Sequence, residues 1–253
     1  MRTAGWTDSV TVLDRVTAVF DAFGEHDEGL GVSELARRAN LPKSTVSRIA
    51  GDLVAQRLLD REGDKLYLGV RLFELAQTVD KPRRLRRLAL PVMAELRDVT
   101  RHTVTLAVLD GADVVIVGIV RAEGGCTPPA RVGERVPAHA TALGKAMLAH
   151  SPRAVVERIV QGGLPQRTPR TISDPSVLAR ELADVRRLGV ATDAEECALG
   201  IVCAAGAILG HGGSPVAAIS VTATASDAAP DRLAPAVRAA AMTLGRRLDT
   251  PPA

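Results

Sequence analysis

Apolar residues recur at helical spacing in three stretches near the beginning of the chain. One stripe runs from residue 10 to residue 23, and a shorter one occupies "SELARRA" (33–39). After the tight turn "NLP" (40–42), the segment 41–53 has apolar side chains on one helical face and short hydroxyl and basic side chains on the other. Pro42 suits the first turn of that helix, where the N–H that proline lacks is not needed. Two helices joined by a short turn, the second with a polar outer face, predict a helix-turn-helix.

The segment after the helix-turn-helix predicts a β-hairpin. "LLDREGDKLYL" (58–68) has apolar arms on either side of Glu62-Gly63-Asp64, a sequence typical of a tight turn. A hairpin in this position forms the wing of a winged helix-turn-helix, with Arg61 and Lys65 near its tip. Helical spacing returns in residues 70–79.

A basic stretch, "KPRRLRR" (81–87), follows this helix. We interpret it as a hinge, in which we expect Pro82 to break the helix. The apolar spacing of a long helix then runs from Leu85 to Val99. Pro91 either kinks that helix or marks its beginning.

The second half of the chain has strand-like patterns between helical ones. Two apolar runs flank Asp110-Gly111-Ala112 within residues 103–120, and two more flank "GHGGSP" within residues 200–223, so two hairpins are expected. Hairpins flanked by helices imply an antiparallel α+β domain. The expected helices are 139–150, 173–189 with an end at Gly189, and 229–248.

These patterns set the domain organisation. A chain of 253 residues is comfortable for two domains. We predict the α+β fold class, with a winged helix-turn-helix domain at 1–68, a linker helix and hinge at 69–84, and a C-terminal α/β domain at 85–253.

The distribution of charge adds more than the net charge. The formal net charge is only +3, but residues 37–61 carry six basic residues against Asp52 and Asp60. A basic patch within a predicted helix-turn-helix favours contact with phosphates. Arg48 is the best single candidate for reading a guanine edge. The predicted DNA contacts are Lys43, Ser44, Thr45, Ser47, Arg48, Arg61 and Lys65.

Composition excludes several classes of protein. The longest apolar run, residues 198–209, has 12 residues, well short of the roughly 18 of a membrane span. The N-terminus lacks the apolar stretch of a signal peptide, and the three cysteines form no CxxC. We therefore expect a cytoplasmic protein with reduced thiols and no membrane partner. All five aromatic residues precede residue 74, so the second half cannot stack a ligand on an aromatic side chain.

Two motifs raise the question of catalysis or a cofactor. "TALGKA" (141–146) resembles a phosphate-binding loop, but His139 and Ala146 stand where that loop needs Gly and Ser or Thr, so we interpret Lys145 as a surface or capping side chain. A Cys203 nucleophile with His139 as its base would need an electropositive setting, which its apolar neighbours do not provide. We expect no cofactor and no metal, since four possible ligands match no standard zinc spacing: His139, Cys197, Cys203 and His211.

The order of the elements and three stretches of sequence resemble the IclR family of bacterial transcription regulators. The stretches are "LPKSTVSRI" (41–49), "VPAHATALGKAMLA" (136–149), which is the most specific, and "DAEECALGIVCAAGAI" (193–208). The resemblance covers nearly the whole chain. It implies a GAF-like C-terminal fold that binds small metabolites, often carboxylic acids, and a homodimer or a dimer of dimers on operator DNA.

The resemblance also implies which residues contact the effector. Two positions depart from the family pattern, Gly206 where a proline is frequent and Ala194 where a second acid is frequent. Asp193 would repel a carboxylate unless a proton or a cation intervenes. An organic acid, a phenol and an amide-like metabolite therefore all stay open as effectors. The implied effector contacts are Ala142, Leu143, Gly144, Asp193, Ile201, Cys203 and Ser220.

The function that follows is that of a DNA-binding transcription regulator, a repressor rather than an activator, whose operator binding is modulated by an effector. The alternative is a metabolite-processing enzyme with an appended DNA-binding head. Turnover of a candidate ligand would distinguish the two.

Overall fold

The computed structural model describes residues 11–24, 27–123, 130–227 and 230–249. The chain divides into two compact units, Met1–Asp80 and Lys81–Ala253. Trp6 and Cys126, which enter the sequence analysis through composition, lie outside the described residues.

The first unit contains the predicted helix-turn-helix and hairpin. Its elements are α1 (Val12–Asp21), β1 (Leu30–Gly31), α2 (Val32–Arg38), α3 (Lys43–Ala55), β2 (Leu59–Glu62), β3 (Lys65–Leu68) and α4 (Val70–Gln77). The three strands form an antiparallel sheet in the order β1-β3-β2, so the wing hairpin pairs with the short strand before α2. That two-residue strand is too short to show an alternating pattern and was not predicted.

The helices of the first unit begin and pack as their sequences dictate. Thr11 and Asp14 form a capping box at α1, with the Thr11 N–H donating to the Asp14 carboxylate at 2.8 Å. Pro42 precedes the first residue of α3 and is its N-cap. The core of this unit comes from one face of each helix and from the inward residues of the wing, and includes Val19, Leu35, Val46, Ile49, Ala50, Leu53, Leu59 and Leu66.

The second unit is a six-stranded antiparallel sheet with helices on both faces. Its elements are α5 (Asp80–Thr100), β4 (Thr103–Asp110), β5 (Asp113–Val120), β6 (Arg135–Pro137), α6 (Ala142–His150), α7 (Arg153–Gly162), α8 (Pro175–Leu188), β7 (Ala191–Ala194), β8 (Ile201–Leu209), β9 (Pro215–Thr224) and α9 (Pro230–Asp249). The strand order is β6-β5-β4-β9-β8-β7. The predicted fold class, α+β with an N-terminal winged helix-turn-helix, a linker helix and a C-terminal GAF-like domain, is confirmed.

The expectation that Pro82 breaks the helix was wrong, and one of the two alternatives for Pro91 is excluded. Helix α5 begins at Asp80 and continues through Pro82, because a proline in the first turn has no intrahelical acceptor to lose. The helix also continues through Pro91, so Pro91 is not its beginning. From Leu85 onwards the inner face of α5 packs into the core of the second unit.

The two faces of the large sheet carry side chains of different size. On one face, bulky residues such as Leu106, Ile219 and Val221 pack against α5 and α9. On the other face the sheet presents small residues to α6 and α8, among them Ala107, Ala205 and Ala218 of the central strands and Ala191 of the edge strand β7. Small side chains let a helix approach the sheet closely, and α6 is accordingly buried all round from Ala142 to Ala149.

Gly144 allows the first turn of α6 to contact the preceding backbone. A short 3₁₀ turn, Ala138–Ala140, lies directly before the helix. A Cβ atom on Gly144 would overlap the backbone of Ala138. The position therefore accepts only glycine unless the two segments separate.

Several elements of the second unit escaped prediction. Strands β6 and β7 have three and four residues, which is too short for an alternating pattern to be seen. Helix α7 has only ten residues, so its apolar face gives a weak helical signal. Gly189 does end α8 in the left-handed conformation, as predicted. No helix among the described residues is both long and apolar enough to span a bilayer.

We predict that Gly144→Ala lowers the free energy of unfolding by about 1–3 kcal/mol, because the added methyl group forces α6 away from Ala138. The matched control is Gly162→Ala at the end of α7, where the added atom meets open space. That control should change stability by less than about 1 kcal/mol. Urea denaturation followed by circular dichroism measures both, and equal stabilities of the two variants would contradict the prediction.

Candidate functional site

The outer face of α3 carries the side chains predicted to contact DNA. Lys43, Ser44, Ser47 and Arg48 are exposed, and Thr45 is half-buried. The opposite face supplies buried core residues, so the polar face is turned outward by the packing of the helix.

The basic patch is smaller in the structure than its sequence suggests. Arg38 forms ion pairs with Asp27 at 2.7 Å and with Glu34 at 2.8 Å. Arg37 pairs with the same Glu34, and hydrogen bonds from the two arginines lower the pKa of that carboxyl to about 2. These two arginines are therefore engaged within the first unit.

The two wing side chains predicted to contact DNA, Arg61 and Lys65, lie in different surroundings. Arg61 is exposed on β2, whereas Lys65 on β3 donates through Nζ to the carbonyl oxygen of Glu28 at 2.9 Å. Part of the hydrogen-bonding capacity of Lys65 is thus used inside the unit. Arg61 is the more accessible of the two wing side chains.

A cavity of about 150 Å³ lies in the second unit, between the first turn of α6, the small-residue face of the sheet and the loop that joins β7 to β8. Six of the seven predicted effector contacts line it: Ala142, Leu143, Asp193, Ile201, Cys203 and Ser220. Gly144 does not line it, because its Cα faces Ala138. The structure adds further lining residues, namely Thr105, Ile116, Ala130, Glu134, Val136, Thr141, Arg167, Cys197, Ala198 and Thr222.

Cross-strand neighbours form a polar floor for this cavity. Asp193 lies opposite Cys203, and Cys203 lies opposite Thr222, with the Cys203 Sγ and Thr222 Oγ1 atoms 3.3 Å apart. Ser220 lies opposite Thr105 in the next row. Residues paired in this way point to the same face of a sheet. The floor therefore continues the small-residue face with hydroxyl and thiol groups.

The wall opposite the loop is the N-terminus of α6. Thr141 caps the helix, its hydroxyl accepting from the Gly144 N–H at 3.1 Å. The N–H groups of a first helical turn lack intrahelical acceptors and carry a partial positive charge. Because Ala142 and Leu143 line the cavity, this wall favours an anionic or hydrogen-bond-accepting group.

Asp193 is the most strongly perturbed acid of the cavity. It is 2% exposed, and its Oδ1 accepts from the Glu196 N–H at 2.7 Å. Burial raises its pKa to about 7, with a further rise from the Glu196 carboxylate; the hydrogen bond from Glu196 N and the Lys145 ammonium act in the opposite direction. Near neutral pH this side chain can therefore either donate or accept a hydrogen bond.

His139 and Cys197, which were considered above for catalysis and for metal binding respectively, lie in different settings. His139 does not line the cavity, and its Nε2 lies 3.1 Å from the carbonyl oxygen of Pro165. Burial raises the pKa of the Cys197 thiol to about 11, so this group stays protonated at neutral pH. Within the described ranges, no cluster of three or more His, Cys, Asp or Glu side chains is arranged to hold a metal ion.

The interpretation of Lys145 as a surface or capping side chain was wrong. Lys145 is fully buried, and its Nζ donates to Glu196 at 2.6 Å and to Glu181 at 2.9 Å. Both partners lie far along the chain, so no local pattern could reveal them. In "TALGKA", Gly144 therefore contacts the backbone of Ala138, and Lys145 forms ion pairs with Glu181 and Glu196.

A second group that sequence reasoning missed holds the loop after β7. The hydroxyl groups of Thr168 and Thr171 donate to the carbonyl oxygens of Glu195 and Glu196, both at 2.7 Å. Arg170 forms an ion pair with the Glu195 carboxylate. "TPRT" carries no pattern that separates it from an ordinary polar turn.

A larger open cleft of about 430 Å³ lies between α8, β7 and α9. Its lining includes Glu181, Asp184, Arg187 and Arg238 and none of the predicted effector contacts. The smaller cavity has the more enclosed polar groups and the perturbed acid, which are typical of a ligand site.

Comparison with known proteins agrees with this arrangement. The IclR helix-turn-helix domain matches residues 12–63, and the bacterial transcriptional regulator IclR C-terminal domain matches residues 77–246. The transcriptional repressor IclR of Escherichia coli (strain K12) is 30% identical over 236 residues, which cover 91% of this chain and 86% of that protein. The repressor AllR of Klebsiella pneumoniae is 32% identical over 226 residues, covering 87% and 82%.

Solved structures give the same result. An IclR homolog from Microbacterium hydrocarbonoxydans, crystallised with 4-hydroxybenzoate, has a TM-score of 0.85 and 31% identity, covering 94% of this chain and 99% of its own. The Thermotoga maritima IclR has a TM-score of 0.75 and 28% identity, covering 94% and 98%.

A winged helix-turn-helix followed by a cavity-bearing α+β unit defines a DNA-binding transcription regulator with a C-terminal effector domain. The chain belongs to the IclR family of bacterial transcription regulators.

We predict that Asp193→Asn weakens the pH dependence of folding stability. The folded state holds the Asp193 proton up to a pKa of about 7, whereas an unfolded Asp releases it near about 3.9. Between those two pH values the folded state binds more protons than the unfolded state, so the free energy of unfolding of the wild type falls as pH rises. Asp193→Asn has no carboxyl to titrate at this position, so the contribution of Asp193 to that fall should be absent. Urea melts from pH 4 to pH 8 measure it.

The control for this experiment is Asp184→Asn, which removes a largely exposed carboxyl of α8. Its pH profile should follow that of the wild type. Parallel profiles for wild type and Asp193→Asn would show that Asp193 titrates normally.

Proposed function

We propose that this protein is a repressor that binds operator DNA through α3 and the wing, and that a small molecule in the α6 cavity changes that binding. Two of its relatives are named repressors. The observation that carries the proposal is that six of the seven residues implied by the family resemblance line one cavity.

The proposed DNA contacts fall into two groups. Lys43, Arg48 and Arg61 are exposed basic side chains that suit phosphates, and Arg48 also suits a guanine edge. Ser44, Ser47 and the half-buried Thr45 can donate to phosphates or base edges at closer range. Lys65 has the least support as a DNA contact, because its Nζ donates a hydrogen bond to the carbonyl oxygen of Glu28.

The cavity favours a small ligand with at least one acidic or accepting group. A volume of about 150 Å³ is close to that of an engineered cavity that takes up benzene, so a single ring fits. The first turn of α6 and the exposed Arg167 suit a carboxylate, while Asp193 suits a hydroxyl group. A small hydroxy acid is the class that uses all three, and 4-hydroxybenzoate, present in the Microbacterium structure, is the first compound to test.

The proposed active species is a homodimer or a dimer of dimers. Val12 and Leu13 at the beginning of α1 are 68% and 75% exposed, and Phe73 on α4 is 66% exposed. Such residues on a small unit suit burial against a second copy. Paired winged units that read paired half-sites raise both affinity and specificity.

Coupling between the two functions must follow the chain through α4 and α5, the segment that links the units. An effector acts only by binding the DNA-competent and incompetent states with different affinity. We place the protein in the cytoplasm, where it meets its operator.

The enzyme alternative finds less support. A Cys203 nucleophile with His139 as its base gains no support, since His139 is not among the residues that line the cavity with Cys203 and its Nε2 lies 3.1 Å from the carbonyl oxygen of Pro165. Incubation of the protein with 4-hydroxybenzoate followed by product analysis tests this point, and any turnover would reinstate the enzyme.

We predict that Arg48→Ala weakens operator binding by about 1–3 kcal/mol if Arg48 reads a base. Fluorescence anisotropy with a genomic fragment identified by footprinting measures it, alongside a random duplex of equal length. An equal loss on both duplexes would assign Arg48 to a phosphate. The control Arg153→Ala removes an exposed arginine of α7 in the second unit and should leave binding unchanged.

We predict that Cys203→Phe abolishes the binding of 4-hydroxybenzoate while DNA affinity stays within about twofold, because the ring fills the cavity. The control Met242→Phe adds the same ring to an exposed position of α9. Isothermal titration calorimetry measures ligand binding after circular dichroism has established folding. A folded Cys203→Phe protein with wild-type ligand affinity would place the site elsewhere.

A further inference from the structure

Lys145 and Glu196 form a buried ion pair next to the cavity. The Lys145 side chain is fully buried, the Glu196 side chain is 9% exposed, and Nζ and Oε1 are 2.6 Å apart. The second carboxylate oxygen of Glu196 is buried without a hydrogen-bond partner among the described residues. Lys145 therefore supplies the main compensation for the charge of Glu196.

This pair joins two segments that both line the cavity. Lys145 follows Ala142 and Leu143 on α6, and those two residues line one wall. Glu196 precedes Cys197 and Ala198, which line the wall formed by the loop after β7. The distance between the walls is thus fixed by a charge pair that the ligand itself does not touch, since neither Lys145 nor Glu196 lines the cavity.

Loss of Glu196 removes the charged link between the loop and α6, although Lys145 keeps Glu181 as a partner. Loss of Lys145 leaves the Glu196 carboxylate buried without its cation. A buried carboxylate without its cation is strongly destabilised and gains most by reaching water. For Glu196 that movement carries the 195–200 loop away from α6. The anchors from Thr168 and Thr171 hold the backbone of Glu195 and Glu196 but not the carboxylate.

We propose that Lys145 is a positioning residue of the effector cavity, holding the 195–200 loop at its working distance from α6 through Glu196. The relevance of this role to regulation rests on the proposed function. The positioning itself is a property of the ligand-free protein.

Glu181 offers an internal comparison for this role. It accepts from the same Nζ at 2.9 Å, but it belongs to α8 and its side chain is 29% exposed. Its carboxylate does not belong to the loop. Loss of Glu181 therefore removes one charge from the cluster without releasing the cavity wall.

The test compares Glu196→Met with Glu181→Met in the full-length protein by hydrogen–deuterium exchange. Amides of residues 195–200 should exchange about tenfold faster in Glu196→Met, equivalent to a local opening easier by about 1.4 kcal/mol. In Glu181→Met they should stay within about twofold of wild type. Amides of β4 and β9 should be unchanged in both variants.

Three outcomes overturn the proposal: an unchanged loop in Glu196→Met, an equal change in both variants, or faster exchange throughout the sheet. If Glu196→Met does not fold, Glu196→Gln keeps the length of the side chain and removes its charge, with Glu181→Gln as the control. The proposal then requires faster loop exchange in Glu196→Gln than in Glu181→Gln, and wild-type exchange in Glu196→Gln overturns it.

Carboxyl NMR of Asp193 gives a readout that loosened packing alone would not produce. The groups that act on the pKa of Asp193 are Glu196 and Cys197 of the loop and Lys145 of α6. Arg167 and Glu134 line the same cavity, and Glu181 pairs with Lys145. Because the Glu196 carboxylate raises the pKa of Asp193 and the Lys145 ammonium lowers it, loss of Glu196 should lower the midpoint of the Asp193 titration. Loss of Lys145 should raise that midpoint. Shifts in the same direction for Glu196→Met and Lys145→Met would contradict the geometry.

Titration with 4-hydroxybenzoate separates this proposal from the proposed function. Glu196→Met should bind it about tenfold more weakly than Glu181→Met. If the wild type does not bind it, the ligand class fails while the exchange result still decides the role of Lys145. If both variants bind with wild-type affinity, Lys145 does not position the site.

Discussion

The structure of the second unit depends on the close packing of α6 against one face of its sheet. Alanines on the central strands let α6 pack directly against one face, and glycine at position 144 lets its first turn contact the 3₁₀ turn before it. Close packing of this kind is intolerant of added atoms. It also brings the helix N-terminus to the row of hydroxyl groups at the end of the same face, which makes a cavity there.

The elements of the first unit could largely be predicted because each follows from local periodicity. Helix α3 needs only its apolar stripe, and the wing needs only a tight turn between two apolar arms. The prediction at Pro82 was wrong because a proline within the first helical turn and a proline that breaks a helix have the same local sequence. The strand β1 depends on pairing with Leu66 and has no independent signal.

Some residues of the candidate site could likewise be predicted from the sequence, and others could not. Residues such as Cys203 and Ser220 were found through a family resemblance, and the sheet register explains why they meet. Lys145 was misplaced because its burial depends on acids brought in by α8 and by the loop after β7. Gly144 was assigned to the ligand through the same resemblance, which does not show that the neighbour of this glycine is the backbone of Ala138. The surroundings of Lys145 and Gly144 depend on long-range packing, which the local sequence does not show.

The absence of aromatic side chains from the cavity has an optical consequence. Residues 74–253 contain no Phe, Tyr or Trp, so the effector domain absorbs little near-ultraviolet light. A phenolic compound held against Asp193 would be the main chromophore of that unit. Its absorption spectrum would then report directly on whether the shared proton lies on the ligand or on the carboxylate, in the intact protein and without any label.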